Sequence, residues 1–372
     1  MTMNFTIDRT PLFNALKSII GVVERKNTQP ILSNILFVIQ GSNLALTATN
    51  IEMEVTIQLQ DVVQASQDGS VTLPARKIYD LIATLADGTR LQFDIEAHQA
   101  VMKVGRSRYK LSALDAADFP LIDVSAQETT AVIAQSVLAK MMKQVEFAMA
   151  QQDVRYYLNG MLVEMDGDQL TLVATDGHRL AKASTTLAQA QSEKTQLIVP
   201  RRTVNELLKA LNDAGYVTLG LAKNYLTLNL DNLSMKVKLI EGKFPEYQRV
   251  IPVNVPYMLA VDKNELLTAL SRVSILANDK LRGVRMSVSS DSIELTTNNP
   301  EQDEADEFIE ANFNGDAFVT GYNLLYLKEA LSAIPHENAF LALRDGASAC
   351  LAAYGIENDS IQVSQVIMPM RL

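Results

Sequence analysis

The stretch GSNLALTATN, Gly41 to Asn50, decides the fold, because the chain contains it three times. GDQLTLVATD, Gly167 to Asp176, is a close copy, and SDSIELTTNN, Ser290 to Asn299, is a weaker one. Each follows or opens on turn-forming residues (Gly41-Ser42, Asp166-Gly167, Ser290-Asp291) and then alternates apolar with polar positions, as in Leu44, Leu46 and Ala48. That pattern reads as the second strand of a hairpin. The closing residues Asn50, Asp176 and Asn299 are spaced by 126 and then 123 residues in a chain of 372. A fixed period near one third of the length marks a repeat architecture.

Two further landmarks keep the same period. VTLPARKIYDLIATL, LIVPRRTVNELLKAL and AFVTGYNLLYLKEAL each read as a short strand turning into an amphipathic helix. Their apolar stripes are Ile78, Leu81, Ile82 and Leu85; Val204, Leu207, Leu208 and Leu211; and Leu324, Leu327 and Leu331. Phe119-Pro120, Phe244-Pro245 and Met368-Pro369 recur near the end of each repeat. Each repeat also opens with a helix. The first has Thr10 as a candidate N-cap before Pro11 and a stripe of Leu12, Leu16, Ile19, Ile20 and Val23. The counterparts are Leu138, Met141, Met142 and Val145, then Leu266, Leu270 and Val273.

The expected fold is therefore α+β: three domains, 1–125, 126–253 and 254–372, each with two helices and mostly antiparallel sheets. If the repeats join through sheet edges, a three-repeat arc leaves one free edge at each end, and two-fold pairing with a second copy removes both. Twelve helices lining such a ring at about 9 Å spacing leave a hole roughly 25 Å across, wide enough for a duplex of about 20 Å.

Composition narrows the class. At 48% hydrophobic the chain is globular, and one cysteine, Cys350, excludes a disulfide framework and fits a reducing, cytoplasmic setting. No run approaches the roughly 18–20 apolar residues of a membrane helix. A net charge of −10 argues against a globally basic nucleic-acid binder but not against local basic patches.

Six collinear segments, QDVRYYLNGMLVE (Gln152 to Glu164), ATDGHRLA (Ala174 to Ala181), GKFPEY (Gly242 to Tyr247), RGVRM (Arg282 to Met286), NNPEQDEADE (Asn298 to Glu307) and VIMPMRL (Val366 to Leu372), resemble the bacterial DNA polymerase III beta subunit family, the sliding clamps, over essentially the whole chain. The resemblance implies a head-to-tail homodimer forming a six-domain ring around double-stranded DNA, read without sequence preference. It implies loading by a clamp loader and tethering of the DNA polymerase III alpha subunit, other polymerases, ligase and mismatch-repair proteins through short linear motifs. It implies no enzymatic activity or cofactor, and three scattered histidines with one cysteine make no metal site.

Carried over by motif, the partner-peptide cleft comprises Leu158, Thr175, Gly177, His178, Arg179, Leu180, Pro245, Arg249, Val250, Leu281, Asn323, Tyr326 and the terminal Val366, Ile367, Met368, Pro369, Met370, Arg371 and Leu372. Adaptable methionines and apolar walls suit peptide capture. Leu281 stands where some relatives have an aromatic residue, and Ala347 and Ala349 also depart from the pattern. For DNA the resemblance points to Arg25, Lys26, Gln152, Tyr156 and Tyr157 on loops, with Arg76, Lys77, Arg201 and Arg202 opening equivalent helices and Lys17, Lys140, Lys143, Lys209 and Arg272 on helices facing the hole. The acidic run Glu301 to Glu310 reads as a solvated loop. Two rival readings are a hydrolase or transferase with an Asp176–His178 dyad, which no nucleotide loop or nucleophile elbow supports, and a monomeric protein-binding scaffold without a DNA role.

Overall fold

The computed structural model describes residues 2–24, 29–124, 129–189, 194–222, 224–278, 281–356 and 360–371. Among them are six α-helices: α1 (Arg9–Ile19), α2 (Ala75–Ala83), α3 (Gln135–Lys143), α4 (Arg201–Ala210), α5 (Lys263–Val273) and α6 (Leu324–Ala333). Each begins directly where a strand ends, so the chain turns from period two to period 3.6 without a loop. The side chains of Asp262 and Asn323 cap α5 and α6 by accepting from the backbone N–H groups two and three residues on.

The helix stripes predicted by periodicity are the ones that pack. Leu12, Leu16 and Ile19 of α1, Met141 of α3, Leu266 and Leu270 of α5 and Leu327 of α6 are fully buried. Each such side chain removed from water contributes about 1.5–3 kcal/mol. The start of α1 differs from the expectation: Asp8, not Thr10, is the N-cap. Pro11 therefore falls inside the first turn, where a missing N–H costs nothing. Arg9, drawn into the helix, donates from Nε to the Ile82 carbonyl at 3.2 Å and lies over the Phe13 ring, tying α1 to α2.

Packing divides the chain into two compact bodies, Met1–Ser136 with Asn205–Leu239, and Val137–Val204 with Ile240–Leu372. The division runs through α3 and α4, so the bodies do not coincide with the sequence repeats. Antiparallel ladders that run across repeat boundaries explain this. In the first body, strand Leu233–Lys238 of the second repeat pairs with Met53–Leu59 of the first, Lys236 opposite Glu54. In the second body, strand Arg179–Thr186 of the second repeat pairs with Ile361–Ile367 of the third, Leu180 opposite Val366. The first body thereby holds an eight-stranded sheet and a separate five-stranded one ending on the edge strand Ser107–Ser112; the second holds one continuous twelve-stranded sheet.

The acidic run is not a loop. Glu304–Phe313 is a ten-residue strand paired with Ser292–Asn298. Its carboxylates hide a period-two pattern in which Ile309 and Phe313 turn inward while Glu304, Asp306, Phe308 and Glu310 face out.

The repeated TATN and VATD segments fold alike. Thr49 Oγ1 accepts from the Ile51 N–H and donates to the Met53 carbonyl, and Asn50 Oδ1 accepts from the N–H groups of Glu52 and Met53. Thr175 Oγ1 makes the same two bonds with Gly177 and Arg179, and Asp176 Oδ1 accepts from His178 and Arg179. In the third copy Asn299 instead accepts from the Asp303 N–H in a longer turn, which accounts for its weaker sequence match. Both tight turns need a left-handed residue, at φ +91° for Gly177 and +76° for Ile51. A β-branched residue is strained there. Ile51→Gly should accordingly raise the thermal unfolding midpoint by the equivalent of about 1 kcal/mol, whereas Gly177→Ala should lower it. A lower midpoint for Ile51→Gly would show that the turn stores no strain.

Candidate binding cleft

Alternation along the C-terminal strand builds the floor of an apolar cavity of about 200 Å³ in the second body. Val366 and Met368 face it, while Ile367 between them points into the core around α5 and α6. Leu180, opposite Val366 in the ladder, completes the floor. The ladder runs on by one bond, from the Met368 N–H to the His178 carbonyl at 2.9 Å, and the Met370 N–H then donates to Gly321 O at 2.7 Å. The terminal segment is thus held on two sides after Pro369 leaves the sheet.

Two other segments raise the walls. Leu158 closes a 3-10 turn, Tyr156–Leu158, and is buried. Arg155, just before it, forms a bidentate pair with Asp153, which holds that carboxyl down at about 2, and also donates to the Asp176 carbonyl at 3.0 Å. Arg155 therefore spans from the 151–159 loop to the 175–179 turn. Its Nη1 would lie 2.9 Å from a Cβ at position 177, a second reason for glycine there. The opposite wall is the segment after Phe244, with Pro245, Glu246, Tyr247 and Val250. Phe244 and Tyr247 pack with Leu162, Val173, Leu180, Ile198 and Val366 in one apolar cluster.

Across the 175–179 turn lies a larger, polar cavity of about 680 Å³, which shares Arg155, His178 and Arg179 with the first. Arg179 is 8% exposed. It donates to Asp176 at 3.1 Å, to Glu329 of α6 and to the Phe147 carbonyl at 2.6 Å, and its guanidinium lies 4.4 Å over the Tyr326 ring. Tyr326 in turn stacks on His178, and burial, followed by the nearby Asp176 charge, raises its phenol above the ordinary value.

Of the residues expected at the cleft, Leu158, Thr175, Gly177, His178, Arg179, Leu180, Pro245, Val250, Val366 and Met368 line the apolar cavity, and Tyr326 lines the polar one. Asn323 caps α6, Arg249 is exposed and paired with Glu246, and Leu281, 60% exposed, lines neither cavity. Ile367, Pro369, Met370 and Arg371 lie beside the cavity without lining it, and Leu372 is outside the described residues. Arg155, Glu246 and Tyr247, which fall inside the quoted segments QDVRYYLNGMLVE and GKFPEY without being assigned to the cleft, also line the cavity, as does Tyr157, which the resemblance assigns to DNA.

Among the DNA assignments, Arg25 and Lys26 fall outside the described residues. Tyr156 and Gln152 are exposed, the latter at φ +57°. Lys77 and Arg202 are exposed at the starts of α2 and α4. Arg76 and Arg201 serve the fold in the same way, each reaching back to a carbonyl that follows the preceding helix, Val23 O at 3.4 Å and Met149 O at 2.8 Å. Arg272 is engaged in a bidentate pair with Glu307.

The Tyr247 wall is anchored by a buried carboxylate. Glu164 accepts from Tyr247 Oη at 2.9 Å, from Gln196 and from Lys194 at 3.2 Å. Burial pushes the Glu164 carboxyl up, but the three donors together outweigh it and hold it below the ordinary glutamate value. A carboxylate with a depressed native pKa stabilises the fold above its unfolded value and loses that contribution as pH falls through the native one. The thermal midpoint of the wild-type chain should therefore drop more steeply below about pH 4.3 than that of Glu164→Gln; parallel profiles would show that the network carries no net stabilisation.

Known proteins match along the whole chain. Family models described as the DNA polymerase III beta subunit N-terminal, central and C-terminal domains match residues 3–123, 132–246 and 248–371. The beta sliding clamp of Pseudomonas putida is 39% identical over 371 residues and that of Escherichia coli 37% over 372, each alignment covering 100% of both chains. The crystal structure of the Pseudomonas aeruginosa sliding clamp, DNA polymerase III subunit beta, bound to griselimycin superposes with a TM-score of 0.95 at 39% identity, covering 100% of both chains. The chain belongs to the DNA polymerase III beta subunit family, the beta sliding clamps.

Proposed function

We propose that this protein is a processivity clamp: a non-enzymatic ring of two chains that encircles duplex DNA and tethers polymerases and other replication and repair proteins through the apolar cleft. Full-length similarity to beta sliding clamps, through all three repeats, carries this reading. The clamp domains are residues 1–125, 126–253 and 254–372, and the ring works in the cytoplasm, where a clamp loader opens it onto DNA. The relatives compared above are sliding clamps, which disfavours the scaffold alternative. A dyad of Asp176 and His178 is disfavoured by the turn itself, since the Asp176 carboxylate is committed to two backbone N–H groups and Arg179.

The cleft suits a short linear peptide. Its apolar floor of Leu180, Val366 and Met368 takes one or two hydrophobic side chains, while Arg155 and His178 offer polar contacts at the rim. Exposed lysines on the helices, Lys17, Lys77, Lys140, Lys143 and Lys209, supply phosphate contacts that position without reading sequence, and Tyr156 offers a ring to a base. Arg76 and Arg201 act mainly by holding the backbone.

Ring closure has complementary edges to use. The strand Ser107–Ser112 is an edge with exposed Arg106, Arg108 and Lys110. The strand Glu304–Phe313 pairs with Tyr257–Asp262 only at its end, Ala311 to Phe313, so the outer side of Glu304 to Glu310 is open, with Phe308 71% exposed among carboxylates. Pairing the basic edge of one copy with the acidic edge of another removes both liabilities at once.

On nicked circular DNA, with the clamp loader and ATP, the loaded protein should resist a salt wash and be released when the circle is cut; equal retention on open linear DNA would contradict encirclement. In solution the mass should be twice 41.0 kDa. Arg108→Glu with Lys110→Glu should shift it to the single-chain mass, and mixing that variant with Glu304→Lys, Glu310→Lys chains should restore the pair. Failure of the mixture to associate would place the contact elsewhere.

A further inference from the structure

The repeat that builds the cleft also builds a counterpart of its floor in the first body, and there the floor is charged. The two tight turns are superimposable in their hydrogen bonds, which aligns Gly177 with Ile51 and Leu180 with Glu54. The Phe-Pro landmarks align Tyr247 with Ile122. The cross-repeat ladders place Val366 opposite Leu180 in one and Lys236 opposite Glu54 in the other. The facing pair Leu180 and Val366 of the cleft floor thus has a counterpart, and there the apolar pair is replaced by an ion pair.

That ion pair is occupied. Glu54 is 3% exposed, and its Oε2 accepts from the backbone N–H of Ile122 at 2.6 Å while Oε1 accepts from Lys236 Nζ at 2.9 Å. Lys236 Nζ also donates to the Ile122 carbonyl at 2.8 Å. Both backbone groups of one residue are therefore gripped by the two side chains that replace the floor, and Ile122 is buried against them along with Phe119. In the second body the corresponding residue, Tyr247, leaves its backbone out of any such grip: its N–H turns back to Pro245 O and its side chain reaches Glu164. Glu54 is buried while the Lys236 side chain is 35% exposed, so the carboxylate is the member that cannot lose its partners without cost. Ile51, 52% exposed, sets a branched side chain at the position where the missing Cβ of Gly177 admits Arg155.

We propose that Glu54 and Lys236, by gripping the Ile122 backbone, close the first-body counterpart of the cleft and so limit each chain to a single partner-peptide site. They are specificity-determining residues that touch no ligand. The proposal rests on reading the second-body cleft as the peptide site, and the test separates the two. The probe is griselimycin, the ligand named for the Pseudomonas aeruginosa relative, titrated into the full-length protein by calorimetry.

The wild-type chain should take up one equivalent, and Leu180→Glu with Val366→Lys should lose it. The triple variant Ile51→Gly, Glu54→Leu, Lys236→Val, which carries the cleft's own residues, should take up a second equivalent, with a Kd within roughly a hundredfold of the first. A folded triple variant that still binds one equivalent overturns the proposal. The milder Glu54→Gln, Lys236→Met variant keeps side-chain volume and tests the grip without a ligand: hydrogen exchange at the Ile122 amide should speed up at least roughly tenfold, and unchanged exchange overturns the proposal independently. Absence of any wild-type binding would refute the cleft reading instead, and the exchange measurement would still decide on the grip.

Discussion

Strand pairing across repeat boundaries is the constraint on which the rest depends. A repeat of this kind presents sheet edges whose N–H and C=O groups need partners, and an open edge invites any strand that fits. Here the edge Arg179–Thr186 is taken by Ile361–Ile367 and the edge Met53–Leu59 by Leu233–Lys238. Each ladder exchanges a regular set of backbone bonds, so the compact bodies follow the sheets and cut across the repeats. The same pairing creates the cleft. A floor made of two strands from different repeats cannot exist until both have folded and met, and the C-terminal segment lines the cavity only because the ladder fixes which of its side chains alternate toward it.

Much of this was legible in the sequence because repetition converts weak signals into strong ones. A single strand-like decapeptide is ambiguous, but three copies at one spacing fix the number of repeats, and periodicity then names the buried stripes of α1, α3, α5 and α6 correctly. The pair Asn50 and Asp176 is legible for a physical reason as well: both side chains accept from the next turn's N–H groups, and few other residues can. Where the third copy changes its turn, the sequence match weakens with it.

What was not legible falls under two causes. Charge masked pattern in Glu304–Phe313, where carboxylates on the open face conceal the alternation of a strand. Arginines carried a second ambiguity, because the same side chain that neutralises a phosphate also bridges backbone carbonyls. Arg76 and Arg201 reach internal carbonyls at equivalent places, Arg272 is neutralised by Glu307, and Arg155 joins two loops of the cleft wall. None of these fates follows from spacing along the chain, since each depends on a partner brought in by the fold. Leu281 is exposed and Asn323 caps α6, so neither side chain lines the apolar cavity.

The symmetry of the backbone and the asymmetry of its side chains together set how many partners one chain holds. Duplicated ladders supply two comparable floors without new topology, and the chemistry of four facing positions then differentiates them. Leu180 with Val366 leaves a dry surface whose burial by a visiting side chain is favourable, whereas Glu54 with Lys236 offers charges already satisfied by a neighbouring peptide group. An incoming apolar residue at the second floor would have to strip the buried Glu54 carboxylate of its partners, which costs more than its own burial returns. Side-chain changes at a few positions of a repeated frame thus differentiate one junction from the other, without altering the strand register that both require.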